Sequence, residues 1–426
     1  MELETLAIHA GFSPDPATQS VAVPIYQTSS YAFLNTQHGA DLFDLKIPGN
    51  IYTRLMNPTT DVLEKRLAAL EGGKAALAFA SGAAAITAAI QTITQAGDNI
   101  VSTSTLYGGT YNLFAQTFPS FGVDVRFADS NNLESFIPKI DEKTRAIYCE
   151  SIGNPLGNIT DFEKLAQIAH DHGLPLIVDH TVMTPFLCRP IEYGADIIIH
   201  SLTKYLGGHG NSLGGIIVDA GNFKWNQNPE KFPLLNTPDS AYHGMIYAKD
   251  VADLAFITRA RVSPLRNMGA ALSPFNAFLI LQGIESCALR MERICENALK
   301  IAQFLDNHPK VAWVNYAGLK NHINHALAQK YCQGKASGIL TFGIQSLDDP
   351  KAAGTRFQDA LKLFTRLVNI GDSKSLACYP ASTTHRQLND EELKAAGVSK
   401  DMMRLSIGIE HIDDLIADLT QALDAV

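Results

Sequence analysis

Cysteine is sparse and unpaired in this sequence. Six cysteines (Cys149, Cys188, Cys287, Cys295, Cys332, Cys378) are scattered through 426 residues, and none shows the C-x-x-C spacing of a zinc or redox site. No metal is therefore expected, and a reducing compartment is. Charge of one sign never accumulates either. The net charge of -9 comes without long acidic or basic blocks, which excludes nucleic acid as the main partner, because phosphate binding needs a concentrated Lys/Arg footprint. The longest apolar stretch, Ala75 to Ile90, is rich in alanine and broken by Ser81-Gly82, so no membrane span is expected. The opening MELETLAIHAGF is acidic and lacks the basic flank and apolar run of a secretory signal, which points to the cytoplasm. Internal repeats and low-complexity tracts are absent. The glycine-rich turns match neither G-x-x-x-x-G-K-[ST] nor G-x-G-x-x-G, which removes the usual nucleotide loops.

With 46% hydrophobic and 18% charged residues, the composition is that of a globular protein with a substantial core. The length predicts two or three domains. Residues 1–60 carry weak periodicity and several turn formers (Pro14, Pro16, Pro24, Pro48, Gly49), as in an extended arm that grips a neighbouring subunit. From Asp61, DVLEKRLAAL has helical spacing and Gly72-Gly73 stop it. A second helix is expected to start near Ser81. In the middle of the chain, RAIYCE (145–150), LPLIVD (174–179) and ADIIIH (195–200) read as strands, with a helix over DFEKLAQIAHDHG between the first two. The expected fold class is α/β: a mostly parallel central sheet flanked by helices over 61–261, then a smaller C-terminal α/β domain over 262–426 with strands GILTFGI and MMRLSIGI.

Each central strand ends in polar residues. Glu150, Asp179 and the group from Ser201 to Lys204 thus fall at carboxyl ends of neighbouring strands, where open α/β sheets place ligands. Lys204, in HSLTKYLGGHG (200–210), is either an ordinary surface lysine or an amine tuned to form an imine with an aldehyde and to shuttle protons. Ser201 and Thr203 beside it are placed to donate to a phosphate. Asp179 has the common use of a turn or cap residue. Paired with Lys204 across adjacent strands, it could instead keep a pyridine nitrogen protonated, which makes such a ring an electron sink. FASGAAA (79–85) is a tight turn or the start of a phosphate-binding helix. Tyr107 in TLYGGT is a packed loop tyrosine or an aromatic stacked on a flat cofactor. Arg404 interrupts an apolar strand, where a guanidinium serves an internal ion pair or binds a substrate carboxylate.

These residues, in the order YTRLMNPT (52–59), FASGAAA, LYGGT, ESIGNP (150–155), IVDHT, HSLTKYLGGHG, SLACYPASTTH (375–385) and RLSIGIE, run nearly end to end. Together they resemble the Cys/Met-metabolism family of fold-type-I pyridoxal-phosphate enzymes. The resemblance is strongest to the family's O-acetylhomoserine sulfhydrylase branch, through TKYLGGHGNSLGGIIVD, an insertion through KFPLLNTPDSAYHG (231–244) and NIGDSKSLACYPASTTH. It implies pyridoxal 5'-phosphate as cofactor, Lys204 as Schiff-base lysine, Asp179 on the ring nitrogen and Tyr107 over the ring. It further implies that the phosphate meets the N–H groups of Gly82 and Ala83, the hydroxyls of Ser201 and Thr203, and Tyr52 and Arg54 from a neighbouring subunit. Asn154, Ser375 and Arg404 would hold the substrate carboxylate, and the assembly would be a homotetramer of shared-site dimers. The chain departs from the pattern at VDHTVMTP, where relatives usually carry Asn for His180 and Phe for Val182.

The implied reaction is γ-replacement on O-acetyl-L-homoserine, with sulfide or a thiol as acceptor. Lys204 would serve as base and acid, and homocysteine and acetate would be the products. A γ-lyase of the same fold is the first alternative. The methionine γ-lyase pattern is YGCT where this chain has YGGT, so Gly109 favours transfer. A catalytically silent binding protein is the second alternative, and the joint presence of Lys204, Asp179 and Arg404 argues against it.

Overall fold

The computed structural model describes the whole chain except residues 346–348, 384–385 and 387–396. The last two residues of SLACYPASTTH therefore lie outside the described residues. Within the first sixty residues the structure forms two helices that weak periodicity had hidden, α1 (Leu3–His9) and α2 (Thr36–Phe43). Helix α1 buries Ala7 against α3 (Pro58–Glu71), and Arg66 Nε donates to the Ala10 carbonyl at 3.0 Å, tying the start of the chain to its own subunit. Helix α3 begins three residues before the apolar pattern does. Asn57 caps it by accepting from the Thr59 N–H, and Pro58 takes the first turn, where its missing N–H costs nothing. It ends at Gly72, whose φ of 75° is left-handed.

Seven strands build the first sheet: β1 (Ala75–Phe79), β2 (Asn99–Thr103), β3 (Asp124–Ala128), β4 (Thr144–Glu150), β5 (Leu176–Asp179), β6 (Ile197–Ser201) and β7 (Gly215–Asp219). Their order is β1-β7-β6-β5-β4-β2-β3. Strand β7 runs antiparallel to both its neighbours and the remaining pairs are parallel. Helix α4 (Gly82–Ile93) packs on one face, where Ile177 and Ile199 point. Helices α3 and α5 (Phe162–Asp171) belong to the other, where Val178 and Ile198 point. Strands covered on both faces need no polar alternation, which is why β4 is buried at every residue and why these segments read as continuous apolar runs.

Helix α6 (Pro274–Glu285) packs against α1 and α3, and α7 (Cys287–Asp306) leads on to a second sheet. That sheet contains β8 (Val311–Asn315), β9 (Ile339–Ile344), β10 (Thr365–Arg366), β11 (Leu376–Cys378) and β12 (Met402–Ser406), ordered β10-β11-β12-β9-β8. Helix α7 packs on β8 and β9, and α8 (Ile412–Asp424) packs on α7. One apolar core runs from the α3 side of the first sheet into the second, so the two sheets meet around a shared interior and the carboxyl ends of β4 to β6 open towards β12. Among the described residues no helix is long and apolar enough to cross a membrane, and no cluster of His, Cys, Asp and Glu could hold a metal. All six cysteines are free and buried.

Candidate active site

A cavity of about 320 Å³ lies at the carboxyl ends of β4, β5 and β6, between the two sheets. Lys204 enters it from the turn after β6. Its Nζ donates to Asn369 Oδ1 at 2.5 Å. Burial, reinforced by the nearby Arg404 charge, lowers the amine to about 8. An ordinary surface lysine has neither such a partner nor such a shift, and an amine half deprotonated near pH 8 is a competent nucleophile and base.

Asp179 ends β5 and pairs in register with Glu150 of β4 and Ile199 of β6. Its Oδ1 accepts the Thr181 N–H at 3.0 Å and its Oδ2 the Tyr148 hydroxyl at 3.4 Å. Burial pushes this carboxyl up, and the Thr181 hydrogen bonds oppose the shift. Thr181 also accepts the Ser201 N–H on Oγ1 at 2.8 Å, locking the ends of β5 and β6 together. Glu150 reaches from β4 into the same cavity, and burial beside Asp179 raises its carboxyl well above the usual range. Its Oε1 accepts the Tyr107 N–H at 2.7 Å. The Tyr107 loop is thereby anchored while the ring, 52% exposed, stands over the cavity mouth.

The other wall is the start of α4. Ser81 caps this helix by accepting the Ala84 N–H, and the N–H groups of Gly82 and Ala83 are first-turn donors that the helix itself does not use. A Cβ on Gly82 would lie 2.7 Å from the Ser201 Cβ, so only glycine brings this helix end against β6. Gly82, Ala83, Ser201 and Thr203 all line the cavity. Their N–H groups and hydroxyls, with the helix dipole, make a cradle suited to a phosphate.

Arg404 is buried in β12. Its Nη1 donates to Asn154 Oδ1 and its Nη2 to the Asn369 carbonyl, both at 3.3 Å. Among the described residues no carboxylate pairs with it, and burial lowers its pKa. The guanidinium is thus held by neutral acceptors at the cavity wall, leaving its charge for a ligand anion.

Ser375 is not brought to this cavity. Its hydroxyl donates to Glu410 Oε2 and accepts the Gly408 N–H, each at 2.9 Å, inside the second layer. Asn369, six residues earlier in the same loop, lines the cavity instead. Nothing in its local pattern singled it out, because its role comes from the fold laying residues 368–370 beside Lys204. Tyr52 and Arg54 do not line the cavity of their own subunit: Arg54 donates to the Arg266 carbonyl and lies over the Tyr52 ring. Of the two departures, Val182 lines the cavity. His180 turns inward, with Nε2 facing the carbonyls of Thr184 and Cys188.

A desolvated lysine, a half-buried aspartate one strand away, a helix-end phosphate cradle and an arginine with no carboxylate partner among the described residues define the site of a pyridoxal-phosphate-dependent enzyme, and the residues present fit that cofactor. The chain belongs to the family of Cys/Met metabolism PLP-dependent enzymes, which it matches over residues 4–424. It is 53% identical to the O-acetyl-L-homoserine sulfhydrylase 1 of Thermus thermophilus over 425 residues, covering 99% of this chain and all of that one. It is 50% identical to the homocysteine synthase of Schizosaccharomyces pombe over 422 residues, covering 99% and 98% of the two chains. The crystal structure of an O-acetylhomoserine (thiol)-lyase from Campylobacter jejuni, which carries a pyridoxyl-lysine monophosphate residue, superposes with a TM-score of 0.95 at 43% identity over 100% of both chains.

Proposed function

We propose that this enzyme replaces the γ-acetoxy group of O-acetyl-L-homoserine with sulfide, giving L-homocysteine and acetate. The observation that carries this reading is the placement of the Lys204 amine and the Arg404 guanidinium on one cavity, joined through Asn369. Names of full-length relatives at about half identity support the same substrate. Arg404 and Asn154 would hold the α-carboxylate, which sets Cα near Lys204. Bound pyridoxal phosphate supplies the aldehyde that captures the amino group and the electron sink for the charge left at Cα. Lys204, poised near 8, takes the Cα proton and later returns one, while Asp179 holds the ring nitrogen's proton. Loss of acetate and addition of sulfide at Cγ complete the exchange.

Gly109 favours transfer over a γ-lyase reaction. A Cβ there would lie 2.5 Å from the Tyr107 ring, so this wall carries no thiol and the aromatic sits close against bare backbone. The decisive experiment supplies purified protein and pyridoxal phosphate with O-acetyl- or O-succinylhomoserine, with and without sulfide. Homocysteine formed from the acetyl ester only when sulfide is present is the expected result. Ammonia and an oxoacid released without any thiol would make the enzyme a lyase, and preference for the succinyl ester would reassign the leaving group.

The assembly belongs to the same reading: a cytoplasmic homotetramer of dimers, in which Tyr52 and Arg54 of one subunit reach the phosphate cradle of the next. Supporting it, these residues lie off their own cavity, in a segment that exposes Phe33, Leu34 and Phe43 to solvent in the single chain.

A further inference from the structure

Across the first sheet from Asp179 lies a titratable cluster that the reaction above does not use. Glu71, the last residue of α3, His180 and His200 are each 0% exposed. His200 Nε2 and Glu71 Oε1 are 2.6 Å apart. The His180 ring stands edge-on to His200 at 5.5 Å between centroids. His180 Nε2 faces two carbonyls, those of Thr184 and Cys188, so it must carry a proton there and cannot take another at that atom. Glu71 Oε2, His180 Nδ1 and His200 Nδ1 have no hydrogen-bond partner. Buried polar atoms left unpaired destabilise a fold, and three in one cluster call for a reason.

The geometry relative to the site supplies one. His200 follows Ile199, the β6 partner of Asp179, and strand alternation turns it to the opposite face, one sheet thickness behind that carboxylate. Burial pushes Glu71 up to about 7 and His200 down to about 4, which favours a neutral pair with the proton on Glu71. The charge of Asp179 already acts upward on His200 within that value, and a cation at His200 in turn favours the Asp179 charge. Other charged or titratable groups acting on the cluster are Arg189, Glu192 and Cys188 beside Glu71, with Glu150, Tyr148 and Cys149 on the Asp179 side.

We propose that Glu71 and His200 share one proton behind Asp179, and that its passage from the Glu71 carboxyl to His200 Nε2 supplies the positive charge that keeps Asp179 ionised against the cofactor's ring nitrogen. The O–H bond of Glu71 breaks as the N–H bond of His200 forms, and the pair gains and loses no charge overall. Glu71 and His200 are positioning residues, since neither touches cofactor or substrate. The proposal rests on the placement of Asp179 at the ring nitrogen.

Glu71→Gln tests it, because the amide keeps a donor for His200 Nε2 and the same volume but cannot surrender a proton. With pyridoxal phosphate labelled with 15N at the ring, the wild-type nitrogen is expected to be protonated. In Glu71→Gln it should lose its proton at a pH about one unit lower, with cofactor Kd raised about tenfold, the equivalent of one pKa unit. A merely structural hydrogen bond predicts no change in either quantity, so a folded Glu71→Gln with wild-type Kd and ring titration overturns the relay. An unprotonated ring nitrogen in the wild type overturns the placement of Asp179 and the relay with it. Should Glu71→Gln fail to fold, 15N-histidine-labelled wild-type holoenzyme decides at about pH 8, where exposed imidazoles are neutral. An imidazolium signal that His200→Asn removes is expected there, separate from any given by His170, whose ring Asp196 raises; no such signal overturns the proposal.

Discussion

Lys204 meets its working state through burial, and burial leaves a measurable trace in stability. Its folded pKa of about 8 lies below the ordinary 10.5. Between those values the unfolded chain binds more protons than the folded one, so the stability of the cofactor-free protein gains with pH across that window. Lys204→Met is expected to be more stable than wild type below about pH 8, with the advantage shrinking towards 10.5; denaturant melts of both apoproteins at several pH values check this. The same variant should form no covalent link to the cofactor, and borohydride reduction followed by peptide mapping should label Lys204 alone in the wild type. Arg404 acts on binding instead. Arg404→Lys keeps the charge but loses the planar fork, so KM for the amino acid should rise about 10-fold or more with a smaller change in kcat. A kcat that collapses at constant KM would remove Arg404 from the ground-state clamp. Asn369 joins the two residues, and Asn369→Ala should lower kcat by freeing the Lys204 amine from its 2.5 Å partner.

At the scale of single elements, the phosphate cradle depends on how closely α4 meets β6. Gly82 has no Cβ and would meet the Ser201 Cβ and Cα at 2.7 and 3.0 Å if it had one. Gly82→Ala must therefore shift the helix end or the strand, at about 1–3 kcal/mol in stability. Cofactor affinity should fall more than stability does, because the donors of Gly82 and Ala83 move with the backbone. Cofactor titration and thermal melts of the same preparation separate the two effects, and unchanged affinity would place the phosphate elsewhere. At this scale much was legible. Asp161, Gly72 and Gly173 bound their helices as the pattern implied, and β4, β5 and β6 lie where the apolar runs are. Helix α1 was not legible: it has seven residues, too few for a clear period, and it is held by packing on α3 and by Arg66.

The whole molecule poses the question of which subunit completes each site. If Arg54 serves a neighbour, Lys204→Ala and Arg54→Ala subunits, each inactive alone, should complement after mixed refolding. Half of randomly paired dimers would be hybrids with one intact site, so recovery should approach about a quarter of wild-type activity by symmetry. Exchange confirmed by mass without recovery would return Arg54 to its own subunit's cofactor.

What the sequence by itself determined are the features carried by neighbouring residues: the strand-end positions of Asp179 and Lys204, the Ser-Gly turn that opens α4, and the buried arginine of β12. Each rests on local patterning, which survives in one dimension. Only the tertiary structure decided that Asn369 and not Ser375 faces the lysine, that His180 turns away from the cavity while Val182 lines it, and that Glu71 meets His200 across 129 residues of chain. These are contacts between segments far apart in sequence, and loop residues have no period from which a facing direction could be read. The reason is physical: a side chain's direction in a loop is set by the packing of the layers around it, and that packing exists only when both sheets have closed on their shared core.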